Sequence, residues 1–202
     1  MQRRVIKLGG SLLSCAEVRD AFPRWRRRQP AAADILIVGG GTIVDAIRNL
    51  DERLALGNEA AHWLAIRAMG VAARLAASLW PEFRLINGFE ELNEAIAAGR
   101  NPVLFDAEDF LRRQEPHLSG AKLPASWSVT SDSIAARLAA GLAADELVLL
   151  KSMLPARSTL SCSEAASLGL VDPFFPAAAQ AIPRVRTVNL RSPNFDEQQF
   201  CS

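Results

Sequence analysis

The residues best placed to do chemistry open the chain. Arg4-Val-Ile-Lys-Leu-Gly-Gly-Ser11 is a short β-rich run that ends in a lysine and passes almost at once into two glycines and a serine. An apolar strand does not readily hide an ammonium group, so Lys7 must emerge where the strand ends or meet an anion there. Gly9 and Gly10 carry no side chains, so a ligand can approach their backbone N–H groups closely. A lysine beside bare backbone donors is a phosphate-binding arrangement. Lysine is also scarce: only Lys7, Lys122 and Lys151 occur among 23 basic residues. Lys151, like Lys7, closes an apolar β-like run. It either surfaces where its strand does or supplies a second cation at the same sheet edge. Two ammonium groups flanking a triphosphate would neutralise charge as it moves between oxygens.

Further candidates follow at intervals. A second glycine turn, Gly39-Gly40-Gly41, also lies between a strand and a helix. In open α/β sheets the ligand site lies beyond the carboxyl ends of the strands. Helix N-termini there present free N–H groups and partial positive charge, which suits phosphate. Neither turn is a Walker A loop, because no Gly-Lys-Ser/Thr follows. The second is not a dinucleotide fingerprint, because Val44 stands where the last glycine would be. Thr130-Ser-Asp-Ser133 starts a helix. Asp132 is then either a first-turn acid, worth about 0.3–1 kcal/mol through the helix dipole, or an orienting carboxylate for a catalytic lysine. His62 shares a helical face with Ile66 and Met69. It is either a satisfied core residue or a contact for a second anion. Asn189 and Arg191, just past the last strand, are candidates for holding an acceptor phosphate. Trp63 and Trp127 read as packing residues, and Arg24-Trp-Arg-Arg-Arg28 as a solvated helix end.

These positions need a scaffold of alternating elements. Val5–Leu8, Asp34–Val38, Phe83–Ile86, Val103–Phe105, Glu146–Leu150 and Val185–Val188 read as strands. Ser14 with Glu17 has the form of a capping box, which predicts a helix from Cys15 to about Arg28. Further helices are expected from Thr42 through Leu50, from Glu59 to Leu79, over Phe89–Ala98, and from Thr130 or Ser131 through Ala140. Such alternation favours an α/β architecture with a mostly parallel sheet covered on both faces. Arg112–Ala125 and Lys151–Ser163 are the longest irregular stretches, where binding work often falls.

Bulk properties narrow the function. The chain has 202 residues, half of them hydrophobic and 22% charged, as in an ordinary globular protein expected to form a single domain over residues 1–202. A net charge of +1 argues against broad electrostatic binding to nucleic acid or acidic membranes. Cys15, Cys162 and Cys201 form neither a metal-ligand spacing nor a disulfide framework, which suits a reducing compartment. The first residues are expected to enter a strand at once, which leaves no room there for a secretory signal. His62, Arg67 and Arg74 interrupt the longest helical stretch, so it is not a membrane span. The expected location is the cytoplasm.

Taken together, Lys7-Leu-Gly-Gly-Ser11, Val38-Gly-Gly-Gly41, Thr130-Ser-Asp-Ser133 and the strand before Lys151 resemble the amino acid kinase family (aspartate, acetylglutamate, uridylate and isopentenyl phosphate kinases). They follow the family's order over nearly the whole chain. Asn58-Glu-Ala-Ala-His62 with Ala65-Ile-Arg-Ala-Met69, Ser126-Trp-Ser-Val-Thr-Ser-Asp-Ser133, Val171-Asp-Pro-Phe-Phe-Pro176 and Asn189-Leu-Arg-Ser-Pro193 are similar to one branch, the aminomethylfuran phosphate kinases of methanofuran biosynthesis. The resemblance implies a three-layer αβα sandwich and ATP-dependent transfer of the γ-phosphoryl group to a small anionic acceptor, a phosphomonoester or carboxylate. It implies ATP with Mg2+ as cofactors and a homo-oligomer. It has Lys7 bind the transferring phosphoryl group, Gly9, Gly10 and Ser11 wrap the phosphates, Gly40 and Gly41 face the acceptor, and Asp132 orient the lysines. With the residue readings above, the catalytic candidates are Lys7, Asp132 and Lys151, the nucleotide candidates Gly9, Gly10, Ser11 and Ser131, and the acceptor candidates Gly39, Gly40, Gly41, His62, Asn189 and Arg191, with no metal-ligating residues expected. The chain departs from the family at Lys151-Ser-Met-Leu-Pro155, where a Thr-Asp-Val-Asp-Gly type loop is usual. Ala125 and Ser192 stand where the branch carries histidines. A non-catalytic nucleotide- or anion-binding relative is the alternative.

Overall fold

The computed structural model describes residues 1–156 and 159–201. Eight strands form one sheet in the order β3-β4-β2-β1-β5-β7-β8-β6. They are β1 (Arg3–Leu8), β2 (Ala33–Val38), β3 (Arg84–Ile86), β4 (Val103–Phe105), β5 (Glu146–Lys151), β6 (Thr159–Ser161), β7 (Val185–Asn189) and β8 (Glu197–Cys201). All neighbours run parallel except β7 and β8. The long helices are α1 (Val18–Arg27), α2 (Gly41–Leu54), α3 (Asn58–Leu79), α4 (Phe89–Ala97) and α6 (Ser131–Gly141); α5 (Glu108–Arg113), α7 (Cys162–Ser167) and α8 (Phe175–Ala178) are short. The central strands are buried along nearly their whole length because helices cover both faces. This is the expected three-layer sandwich.

Side chains alternate across each strand, so the sheet has two cores. Val5, Ile35, Ile37, Leu147 and Leu149 pack toward α6. Ile6, Leu8, Leu36, Val148 and Leu150 pack toward α1, where Phe22 and Trp25 lie. The same alternation decides where the lysines go. Lys7 shares the parity of Val5, and Lys151 that of Leu149, so both project on the α6 side. In the β1–β5 register Lys7 stands opposite Leu149, which sets Lys151 one diagonal step away.

A charge ladder closes the opposite end of the sheet on the α1 face. Asp34 on β2, Arg4 on β1, Glu146 on β5 and Arg186 on β7 are all buried and alternate in sign across four neighbouring strands. Arg4 lies 3.3 Å from Asp34 and 3.0 Å from Glu146. Arg186 lies 2.9 Å from Glu146 and 2.5 Å from Glu197 on β8.

Several expectations change. Cys15 is extended and follows a 3-10 turn over Gly10–Ser14, so α1 starts only at Val18, and no side-chain cap forms at Glu17. The Ser14–Glu17 box therefore does not form; a reciprocal box forms instead between Ser161 and Glu164. The supposedly irregular 151–163 segment contains β6 and the start of α7, with Arg157 and Ser158 outside the described residues. The sheet does not end at β7, because the polar strand β8 adds an antiparallel edge that β6 then extends. The Arg24–Arg28 run is not a freely solvated end. Trp25 is buried, Arg26 pairs with Asp34 at 2.8 Å, and Arg24 and Arg28 lie over the Phe195 ring.

Candidate active site

Lys7, Asp132 and Lys151 meet. The Lys7 Nζ lies 2.9 Å from Asp132 Oδ1, and the Lys151 Nζ donates to Oδ2 at 2.7 Å. The carboxylate thus spaces two ammonium groups, and one net positive charge remains. All three side chains are at least 86% buried, so the Coulomb terms act in a weakly screened setting. Burial pushes the Asp132 carboxyl up, but the two ammonium groups overcome this and hold it at about 2. Burial lowers the Lys151 ammonium, the Lys7 charge lowers it further, and Asp132 opposes both, leaving it at about 8.

Helix α6 brings Asp132 to this position. Thr130 is its N-cap, accepting from the Asp132 N–H at 3.4 Å. Asp172 reinforces that end. It accepts from the Thr130 N–H at 2.9 Å, the Thr130 hydroxyl at 2.8 Å and the Ser133 N–H at 3.1 Å, and also from the Ser133 hydroxyl. The Asp132 reading as a mere first-turn acid is therefore incomplete, because its carboxylate is committed to lysines. Sequence reasoning named Asp172 only within the branch-like Val171–Pro176 segment and gave it no role, because its partners lie about 40 residues earlier.

The two glycine turns touch each other. A Cβ on Gly10 would lie 2.1 Å from the Gly41 nitrogen, and one on Gly41, whose φ is +54°, would lie 2.4 Å from the Gly10 carbonyl oxygen. Only bare backbone fits at that seam. Gly9 lies beside the Lys7 ammonium: a Cβ built there would be 3.9 Å from Nζ. Ser131 packs on the second turn, its Oγ 2.7 Å from where a Gly39 Cβ would be.

A cavity of about 220 Å3 opens from this seam. Gly10, Ser11, Gly39, Gly40, Gly41, His62 and Ser131 line it, so the two turns, the start of α6 and the predicted histidine converge. Its wall includes Val44, Ile66, Met69 and Ile134, with Asp45 and Arg48 on α2 and Ser126 and Trp127 on the loop before α6. Helix α2 begins at the cavity without a side-chain cap and without a first-turn acid, which leaves its amides and positive end to a ligand. Trp127 is not simple packing. Its indole N–H donates to Asp51 at 2.7 Å, and Arg48 lies over its ring at 4.7 Å. Arg48 and Trp127 were missed as pocket residues. Only the helical spacing of Arg48 from Gly41 could have signalled the first.

Asn189 and Arg191 do not line this cavity. Asn189 stands opposite Lys151 in the β5–β7 register and borders a separate groove with Leu154, Pro155 and Ala156. Arg191 lies in a cleft with Leu12, Cys15 and Glu17. Among the described residues no three His, Cys, Asp or Glu side chains are grouped to hold a metal ion, and no helix is long and apolar enough to cross a membrane.

Comparison with known proteins agrees with this geometry. The [5-(aminomethyl)furan-3-yl]methyl phosphate kinase of Methanocaldococcus jannaschii is 26% identical over 138 residues, which cover 64% of this chain and 56% of that protein. The chain thus spans a little over half the length of that relative. The UMP kinase of Ureaplasma parvum superposes with a TM-score of 0.74 at 15% identity, over 100% of this chain and 96% of that one. The aspartate kinase of Synechocystis does so with a TM-score of 0.69 at 16% identity, over 98% of this chain and 40% of that one. These two likenesses show the fold. The model of the amino acid kinase family matches residues 2–153, and the chain belongs to that family.

Proposed function

We propose that the chain is an ATP-dependent phosphotransferase that moves the γ-phosphoryl group to a small anionic acceptor, a phosphomonoester of the aminomethylfuran phosphate kind. The observation that carries this reading is the Lys7–Asp132–Lys151 bridge beside two bare glycine turns. Phosphoryl transfer needs in-line positioning and charge neutralisation more than covalent help. Lys7 and Lys151 supply two positive charges at fixed spacing, and Asp132 keeps them from repelling each other. The backbone donors of Gly9, Gly10 and Ser11, with Ser131, suit the donor phosphates. The uncapped start of α2 at Gly40 and Gly41, next to Gly39, suits the acceptor phosphate. A phosphate acceptor has its second pKa near 6, so its oxygen is already a nucleophile at neutral pH and no general base is required. Mg2+ commonly binds through one or two carboxylates plus substrate phosphates. Here Asp132 is engaged by lysines, so the nucleotide itself would carry the ion. Asn189 and Arg191 then belong to the nucleotide side, past Lys151, rather than to the acceptor. Residues 1–202 act in this reading as one amino acid kinase-like domain, assembled as a homo-oligomer.

The second reading, nucleotide or anion binding without transfer, rests on Lys151-Ser-Met-Leu-Pro155, which replaces the family's usual acidic loop. One experiment separates the two: purified protein is assayed with ATP, Mg2+ and a panel of phosphomonoesters and carboxylates, alongside calorimetry with ATP. Turnover on phosphomonoesters that is lost in Lys7→Ala supports the kinase. ATP binding without turnover on any acceptor supports the alternative, and absence of both overturns the two together.

A further inference from the structure

The pocket beside the glycine seam has a defined length, and its far end is a histidine. Gly41, Val44, Asp45 and Arg48 line it from α2, and His62, Ile66 and Met69 from α3. Each set runs over seven residue steps, about 10 Å of helix. Met69 marks the seam end, its Cγ 3.6 Å from where a Gly40 Cβ would be. His62 is therefore two turns away from the acceptor phosphate site, at the end that Arg48 also reaches.

His62 is only 8% exposed, yet among the described residues its imidazole has no hydrogen-bond or ion-pair partner. Its single ring contact is an edge-on one with Trp63 at 5.3 Å. Arg112 in turn lies over the Trp63 ring at 3.7 Å. The imidazole nitrogens are not sealed away from the cavity that the ring lines, so a ligand group can take the place of water as their hydrogen-bond partner. Burial also lowers its pKa, which favours a neutral imidazole over the second-anion contact that the sequence left open.

On the reading of this pocket as the acceptor site, we propose that His62 reads the tail of the acceptor, which is a short, narrow monophosphate with an apolar middle and a hydrogen-bonding group at the end opposite its phosphate. The apolar middle lies against Val44, Ile66 and Ile134. The neutral imidazole offers one donor and one acceptor, so a hydroxyl or an amine satisfies it and a methyl group does not. The volume, about 220 Å3, falls below the roughly 300–1,000 Å3 of drug-sized sites. A nucleoside monophosphate, with a ribose and a base beyond its phosphate, is therefore a poor occupant, although UMP kinases share the fold.

Calorimetry tests this without requiring turnover. The probes are 4-(hydroxymethyl)benzyl phosphate, 4-(aminomethyl)benzyl phosphate, 4-methylbenzyl phosphate and UMP, titrated into the wild-type chain and into His62→Ala and His62→Gln. The hydroxyl- and amine-ended probes are expected to bind about five- to tenfold more tightly than the methyl-ended one, the yield of one net hydrogen bond. That ratio collapses to about one in His62→Ala and is partly kept in His62→Gln, with UMP the weakest ligand of the wild type. Circular dichroism confirms that the variants fold. A ratio unchanged by His62→Ala, or UMP binding more tightly than the benzyl phosphates, overturns the proposal even if phosphoryl transfer is observed. The expected ratios without phosphoryl transfer uphold it while the kinase reading fails.

Discussion

Asp172 holds Ser133 twice, by the backbone N–H at 3.1 Å and by the hydroxyl. Ser133 follows Asp132, so a carboxylate far along the chain fixes the residue that spaces the two lysines. Asp172→Asn keeps the shape and removes the charge from this cap. The expected result is a loss of about 1.5–3 kcal/mol, read as a lower urea midpoint, together with a fall in kcat larger than any change in acceptor KM.

Lys151 sets an alkaline limit. Its folded pKa is about 8 against 10.5 for the free group. As pH rises through 8 the native chain sheds this proton while the unfolded chain keeps it until about 10.5. The unfolded state then binds more protons, so the Lys151 contribution to stability rises with pH over that window. Activity moves the other way, because the ammonium is lost. A kcat/KM profile falling above pH 8 while the denaturation midpoint holds or rises over pH 8–10 is the expected signature. Asp132 governs the acid side. Its drop from 3.8 to about 2 corresponds to about 2 kcal/mol, present above pH 3.8 and lost as pH falls toward 2.

Trp127 lines the pocket and is tied to Asp51 through its indole N–H at 2.7 Å. Trp127→Phe removes the N–H donor and keeps a ring for Arg48. Acceptor KM should rise about three- to tenfold, the worth of one hydrogen bond. The kcat and the melting temperature should stay near wild type. A change confined to kcat would contradict a role in acceptor retention.

Arg4→Met leaves the buried Asp34 and Glu146 without their shared partner. The expected loss is about 3–5 kcal/mol, measured by urea denaturation. Because this ladder lies at the far end of the sheet and on its other face, ATP affinity measured on the folded variant should be unchanged.

What the chain reveals by inspection follows from physics that acts locally. Apolar runs ending in Lys7 and Lys151, and glycines that break them, are visible because strand, turn and charge all change within a few residues. The convergence of both lysines on Asp132 is not visible in spacing. It needs the β1–β5 register and the shared strand parity. Asp172 and Trp127 act over long separations from loops without periodic pattern, so nothing local marks them. Strand β8 reads Glu-Gln-Gln-Phe-Cys; its polarity belongs to an edge, and pairing with β7 rather than propensity makes it a strand. At Ser14 the opposite happened. A good capping pattern was overridden by the tight turn that the glycine segment imposes just before it.

The contact of Gly10 with Gly41 joins the two glycine turns through main chain alone. If the turns hold donor and acceptor as proposed, whatever tilts one drags the other with it, so the gap a phosphoryl group would cross is set by the backbone and not by how side chains settle.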